Sequence, residues 1–459
     1  MNNNEIEKVH MFLISLALVL TPFTGISGIS FLGSMGKIAS IYPLLVGVIL
    51  WMGQRRGVVP IPRYNNFYSL LLFYMIAVLS ICINLDEIQY YHFQGQSGIQ
   101  RAVVQIISLG FCVLVPVYVY DIFKNYKGNV YEFLFRYLEY SFYIAGMYSF
   151  FEILSFFNIG DVGGYLAFFD SLFRDGESNG NILRIRSVTL EPSTLGEYAA
   201  VLLPLLIFKA GNKKIYFFSA LYLLLLCILS VSRTAYIVLI LQFLLCYVLS
   251  GKKQKKIIGL LAVVIFFIGS IIYSQAVEQF GEKTFDAVVM STINSDGTDF
   301  EWSNIARYGS QEAAFIMFKD SPIYGVGYGM YGFLAPDYYP QYAWISNEIV
   351  SRAINSPNNG AWPPVHNLIA RIMGETGGVG LFAWLLMMIF TVRYMYRCLI
   401  YGKNSGDMYA ASALISLIGC FVMEFKTDSI YVLPVYIIIG MSMVVVRNCK
   451  TGENCESDK

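Results

Sequence analysis

Four short stretches hold the residues whose types and spacing could do chemistry. The first is Arg184-Ile-Arg186-Ser-Val-Thr-Leu-Glu191-Pro192-Ser193, where two arginines alternate on a short extended piece and Pro192 keeps the chain from turning helical before an apolar run near Thr194. Arginine stays charged at any working pH and can fork onto phosphate oxygens. Its competing uses are snorkelling to lipid headgroups or pairing with Glu191. The second is Ser230-Val-Ser232-Arg233-Thr234-Ala235, the whole connection between two apolar runs. A charge held in so tight a turn reads either as functional, with a partner to be sought, or as an interfacial anchor. The third is Asn304-Ile-Ala-Arg307-Tyr308, leading to Pro322 and Gly325-Val-Gly327-Tyr-Gly329; residues 304–319 suit a helix with Arg307 on its first turn and Pro322 marking its end. The fourth is Val365-His366-Asn367, followed by Glu375-Thr-Gly377-Gly-Val-Gly380 entering an apolar run. A neutral histidine there could take a proton from a hydroxyl, although a lone histidine more often serves as a structural hydrogen-bonder.

Other patterns carry less. The glycines at 325–329 have no strand leading in, so they are not a dinucleotide loop. Eight aromatics in Tyr324–Trp344 could stack on sugar, yet aromatics are no denser over the whole loop than elsewhere in the chain. Asp296 and Asp299 sit in an Asn/Asp/Gly cluster of the kind that makes turns, and no convincing metal site emerges. The eight cysteines show no C-x-x-C spacing, which argues against a zinc site or a disulfide framework.

The elements that must position these residues follow from composition. Of 459 residues, 56% are apolar and 14% charged, with a mean hydropathy of +0.56; a soluble domain carries about 25% charged residues. Apolar runs recur along the whole chain, centred near residues 10–27, 36–53, 67–83, 102–120, 137–157, 194–209, 215–231, 235–250, 257–275, 378–396, 408–424 and 430–446. A bilayer leaves an unpaired backbone group no partner, so such runs are helices. The expected fold is an all-α polytopic integral membrane protein of about 12 transmembrane helices, with a long outer loop containing short helices. Helices 1–9 fall in residues 1–275 with a shorter outer loop at 158–193. The large outer loop covers 276–365, the C-terminal helices 366–450 and a polar tail 451–459.

Orientation follows from lysine and arginine in the short connections. Alternate connections hold 20 of the 32 basic residues, among them Arg55, Arg56, Lys124, Lys213 and the Lys252–Lys256 run. Those connections face the cytoplasm, as do both termini. The run at 252–256 is then a topogenic loop rather than a nucleic-acid patch, and a net charge of +1 gives no whole-molecule attraction to nucleic acid. The loop 276–365 has four basic residues against ten acidic ones. The start, with Glu5, Glu7 and Lys8, makes a poor signal-peptide n-region, so the first span is expected to stay uncleaved.

The ordered set Arg186…Glu191-Pro192-Ser193, Ser232-Arg233-Thr234-Ala235, Arg307…Pro322…Gly325-x-Gly327 and His366-Asn367…Glu375-x-Gly377 resembles the O-antigen polymerase (Wzy) and O-antigen ligase superfamily. The resemblance covers residues 180–390 by motif and the whole chain by hydropathy. The family's arginine-to-glycine spacing in its outer loops is not matched at Arg186 or Arg307. The resemblance implies a metal-independent glycosyltransferase in the bacterial inner membrane, working at its periplasmic face without a cofactor. Its donor and acceptor would be glycans on undecaprenyl pyrophosphate, and a chain-length regulator is an implied partner. The chemistry fits the residues: a pyrophosphate leaving an anomeric carbon develops negative charge that fixed arginines would stabilise. Arg186, Arg233 and Arg307 are expected to hold the pyrophosphate, His366 to act as general base, and Glu191 and Asn367 to lie in the substrate-binding set. Three readings compete: a polymerase, favoured by the Glu-Pro-Ser motif and the acidic outer loop; a ligase to lipid A core; and a lipid-linked oligosaccharide flippase or other transporter. The last predicts ionisable residues along a path inside spans, where Arg136, Glu139 and Glu152 would need explaining.

Overall fold

The computed structural model describes residues 3–174, 184–280, 299–355, 362–401 and 407–450. In chain order the helices are α1 (Asn3–Val19), α2 (Ile41–Gln54), α3 (Asn65–Ile83), the single turn α4 (Leu85–Ile88), α5 (Gly98–Phe123), α6 (Val130–Phe156), α7 (Gly163–Phe173), α8 (Pro192–Ala210), α9 (Lys214–Leu229), α10 (Arg233–Leu249) and α11 (Lys252–Phe280). Then come α12 (Asp299–Asp320), α13 (Tyr331–Tyr338), α14 (Asn347–Ala353), α15 (Leu368–Tyr401), α16 (Met408–Met423) and α17 (Leu433–Lys450). A two-residue hairpin, His92–Phe93 against Gln96–Ser97, precedes α5.

Each of the twelve apolar runs is helical over half or more of its length, the first only as far as Val19. Among the described residues, four of these helices are long and apolar enough to cross a membrane: α3, α5, α8 and α15. α2, α9, α10, α16 and α17 are apolar but shorter. This is the pattern of a polytopic membrane protein.

Two starts differ from the sequence expectation. Pro192 does keep Glu191 extended (φ −129°, ψ 153°), but it is itself the first residue of α8, two residues ahead of the expected start, where its missing N–H costs nothing. α12 begins at Asp299, so Arg307 lies on its third turn rather than its first, while Pro322 does follow its end.

Side-chain contacts sort the bundle into two ends. At one, Asp121 accepts from Trp51 Nε1 at 2.8 Å, from Arg55 at 2.6 Å and from Lys124 at 2.6 Å. Asn129 caps α6 and donates to Asp407 at 2.6 Å, and Arg447 donates to the Lys124 carbonyl at 2.7 Å. This is the end of the lysine- and arginine-rich connections. The other end holds residues 184–191, 230–233, 304–355 and 362–368 and the 424–432 connection.

Between the ends, α15 packs on α3, α16 on α8 and α17 on α5. Lipid tails are as apolar as leucine, so packing and interhelical hydrogen bonds hold such helices together. Gln242 donates to the Ala200 carbonyl and Ser416 to the Val201 carbonyl, both at 2.6 Å, tying α10 and α16 to α8.

The charges of α6 have structural partners. Arg136 pairs with Glu132 at 3.0 Å, Glu139 pairs with Lys209, and Glu152 accepts the backbone N–H groups of Arg186 and Ser187 at 3.0 and 2.7 Å. These three charges of α6 are therefore paired within the fold.

The glycines at 325–329 form a docking strap. α15 kinks at Gly377 (φ 67°), where a Cβ would stand 2.2 Å from the Ile323 carbonyl oxygen. Gly378 N–H donates to Pro322, Val326 N–H to Gly374 and Gly327 N–H to Glu375, at 2.8 to 3.1 Å. The strap fixes α12 against the start of α15, and with it the positions of Arg307 and His366.

Candidate active site

His366 is held by its neighbours on both sides. Val365 N–H donates to Asp428 Oδ2 at 2.9 Å. Asn367 is the N-cap of α15, accepting from Ala370 N–H at 3.1 Å, and Leu368 N–H donates to the Glu424 carbonyl at 2.8 Å. Between these anchors His366 takes a left-handed backbone conformation, φ 59°. Non-glycine residues sustain such a conformation only where the surroundings over-determine it, and such sites cluster where function is built. Its Nε2 is buried and lies 3.3 Å from Glu348 Oε1 on α14, outside hydrogen-bond alignment. Glu348 also meets Arg352 at 3.1 Å. The His366 imidazole, and after it the charge of Arg352, hold the Glu348 carboxyl below the ordinary carboxylate range.

His366 opens on a cavity of about 510 Å³ whose wall includes Glu191, Glu197, Arg307, Glu348, Arg352 and Lys426. Arg307 arrives on α12, Glu191 at the start of α8 and Lys426 on the connection between α16 and α17. Ser193 Oγ donates to Glu191 Oε2 at 3.0 Å, turning that carboxylate toward the α8 N-terminus.

Two of the cations are uncommitted. No hydrogen bond or ion pair engages the side chains of Arg307 or Lys426 among the described residues. Burial pulls the Lys426 ammonium down to about 8; the charges of Arg307 and Arg184 add to that, while Glu197 and Glu191 oppose it. The Arg184 guanidinium is likewise lowered, by burial first and by Arg307 and Arg233 after it. Cations crowded together and partly desolvated are what a polyanionic ligand would neutralise.

The other expected residues stand behind this wall. Arg186 is buried and donates to the Leu190 carbonyl at 3.2 Å, bracing the segment that delivers Glu191. Arg233 is the first residue of α10 and donates to Asn304 Oδ1 at 2.8 Å, tying the Ser-Arg turn to α12. Arg184 donates to the carbonyls of Ser230 and Val231 at 3.0 and 2.9 Å, and Val231 is itself left-handed at φ 48°. Asn367 caps a helix and donates to Gln311 at 3.3 Å. The cavity thus brings together Glu191, Arg307 and His366, and it places Arg186, Arg233 and Asn367 as their supports.

Residues 218–385 match the family model described as O-antigen ligase. The matched stretch is a little over a third of the chain. It contains Arg233, Arg307, Glu348 and His366, and it leaves Glu191 and Lys426 outside its limits. The resemblance to the polymerase and ligase superfamily is therefore supported over this part of the chain. No curated protein matches the chain.

Lys426, Glu348, Arg352 and Arg184 were not singled out from the sequence as site residues. Lys426 carried the same signal as Arg233, a cation in a short outer connection, within Glu424-Phe-Lys426-Thr-Asp428. Glu348 and Arg352 gave only an ordinary helical i, i+4 pair. Half of the eight aromatics at 324–344 pack inward: Tyr328, Tyr331, Phe333 and Tyr339 are buried, whereas Tyr324, Tyr342 and Trp344 are exposed. Asp296 lies outside the described residues.

Proposed function

We propose that the protein polymerises lipid-pyrophosphate-linked oligosaccharide repeat units at the periplasmic face of the bacterial inner membrane, with about twelve spans and both termini in the cytoplasm. The observation that carries this reading is the pair of uncommitted cations, Arg307 and Lys426, on the same cavity wall as the strained His366.

The pyrophosphate of the donor, on undecaprenol, sits against Arg307 and Lys426, with Arg184 and Arg233 adding positive charge behind them. Arg186 holds the Glu191 segment in register. The acceptor hydroxyl oxygen attacks the anomeric carbon of the donor glycan as the bond from that carbon to the pyrophosphate oxygen breaks. The hydroxyl proton passes to His366, and the electron pair of the broken bond leaves on the lipid pyrophosphate. A direct in-line displacement inverts the anomeric centre. Glu348 balances the imidazolium that forms, which is the role a carboxylate plays beside a histidine base. The cations, preorganised around the leaving group, stabilise charge where it develops.

A second reading keeps the same chemistry and changes the acceptor: a ligase that transfers the glycan to lipid A core, a reading compatible with the family model described as O-antigen ligase. A deletion strain, complemented and examined on a glycolipid gel together with its lipid-linked intermediates, separates the two. Loss of the ladder with one repeat unit still on the core supports the polymerase. Bare core with long lipid-linked polymer accumulating supports the ligase, and an unchanged gel contradicts both.

A further inference from the structure

A second cavity of about 520 Å³ adjoins the first. The two share Ser34, Lys37, Pro364, Asp428, Ser429 and Tyr431 as a common wall. Pro364 is two residues from His366, so a molecule seated in the second cavity lies next to the base.

The second cavity is chemically unlike the first. Its arginines are already engaged. Arg371 donates to Glu375 at 3.1 Å, to the Asp428 carbonyl at 2.9 Å and to Gln105 Oε1 at 3.2 Å. Arg101 lies 3.6 Å over the Trp362 ring and donates to the Gly329 carbonyl and to Gln96 Oε1, at 3.1 and 3.2 Å. Little positive charge is left over for an anion. The lining instead offers the amides of Gln96, Gln100 and Gln105, the oxygens of Gln96 and Gln105 already accepting from Arg101 and Arg371, beside Pro363, Pro364 and the Trp362 indole that Arg101 covers on one side. The Gln100 amide presents a donor and an acceptor side by side and Gln96 and Gln105 add amide donors, which matches the alternating hydroxyls of a sugar, and the proline faces match its C–H faces. Gly332 lets the indole sit this close, because a Cβ there would stand 2.1 Å from Trp362 Nε1.

We propose that the second cavity is the seat of the acceptor saccharide: a short, hydroxyl-rich oligosaccharide that presents one hydroxyl to His366 past the shared wall. The inference rests on the reading of the first cavity as the pyrophosphate seat, and it divides recognition between two chambers, the cationic one for the donor's leaving group and the neutralised, amide-lined one for the acceptor's sugars. Gln100 and Val104 lie on the second chamber alone and take no part in the first.

The test uses the full-length protein in lipid nanodiscs and two probes. One is undecaprenyl pyrophosphate; the other is the repeat-unit oligosaccharide released from the host's lipid-linked intermediate by mild acid. Gln100→Ala removes an amide from the rim, and Val104→Phe narrows the chamber. Each is expected to weaken oligosaccharide binding about tenfold, the loss of roughly one well-made polar contact or its steric equivalent, with undecaprenyl pyrophosphate binding unchanged. Arg307→Ala is expected to do the reverse. Unchanged oligosaccharide binding in both chamber variants would overturn the proposal, and so would an equal loss of both probes in Gln100→Ala. Wild-type protein that binds the lipid pyrophosphate but no oligosaccharide also refutes the second chamber alone. Failure to bind the lipid pyrophosphate refutes the reading of the first.

Discussion

His366 and Glu348 reach each other from separate elements on the wall of the first cavity, Nε2 standing 3.3 Å from Oε1, although seventeen residues of chain lie between them. The backbone of His366 is strained, and its neighbours are pinned to Asp428 and to the α15 N-terminus. The histidine is therefore placed by the fold before any substrate arrives.

The contact has a pH signature. The folded Glu348 carboxyl titrates below its ordinary 4.5 because of His366. A depressed carboxyl contributes stability that is complete above its unfolded value and is lost as pH falls through its folded one. Glu348→Gln is expected to lower the melting temperature at pH 7, with the difference from wild type shrinking as pH drops below about 4.5. Thermal unfolding in detergent at the two pH values checks this, and a difference independent of pH would count against the pair.

Lys426 gives a second pH test, of opposite sign. With its ammonium at about 8, the cation is present at pH 7 and lost by pH 9 in the empty site. Affinity for undecaprenyl pyrophosphate is expected to fall over that interval by about tenfold, the worth of roughly one charge-assisted contact. Lys426→Arg, which does not titrate there, should flatten the fall. An identical pH profile for the variant and wild type would remove Lys426 from the site.

Arg186 and Arg307 should part company. Arg307 faces the cavity, whereas Arg186 braces the Leu190 carbonyl behind it. Arg307→Ala is expected to raise the KM for the lipid-linked donor at least tenfold with little change in melting temperature. Arg186→Ala is expected to lower the melting temperature, since a buried guanidinium's partner is left unsatisfied at about 1–3 kcal/mol. Steady-state kinetics paired with melting curves distinguish the two outcomes, and matching profiles for the two variants would contradict this division.

Gly377→Ala addresses the scaffold. A Cβ at φ 67°, 2.2 Å from the Ile323 carbonyl oxygen, cannot be accommodated without moving the strap that carries α12 against α15. A loss of at least about 2 kcal/mol is expected, read as a fall in folded yield and in melting temperature. A variant as stable as wild type would show that the strap is not what sets the kink.

The helices were legible in the sequence because hydropathy alone specifies them, and so were Arg307, Glu191 and His366, each isolated beside an apolar run. Arg186 and Arg233 were legible as unusual arginines but not as supports. Whether a boundary arginine faces a cavity or a carbonyl depends on a left-handed residue such as Val231 or Ser187, and nothing in the residue types announces that conformation. Pro192 does both things its type allows, holding Glu191 extended and serving as the first residue of α8. The pairing of Glu348 with His366 depends on where α14 folds back, which no local pattern encodes.

The most direct test is single-turnover glycosyl transfer by purified His366→Gln in nanodiscs, with donor binding measured alongside. The account predicts unchanged affinity for the lipid-pyrophosphate-linked donor and a transfer rate at least 100-fold lower, within the usual worth of a general base of about 10²–10⁴. Transfer at the wild-type rate with donor binding intact would contradict it.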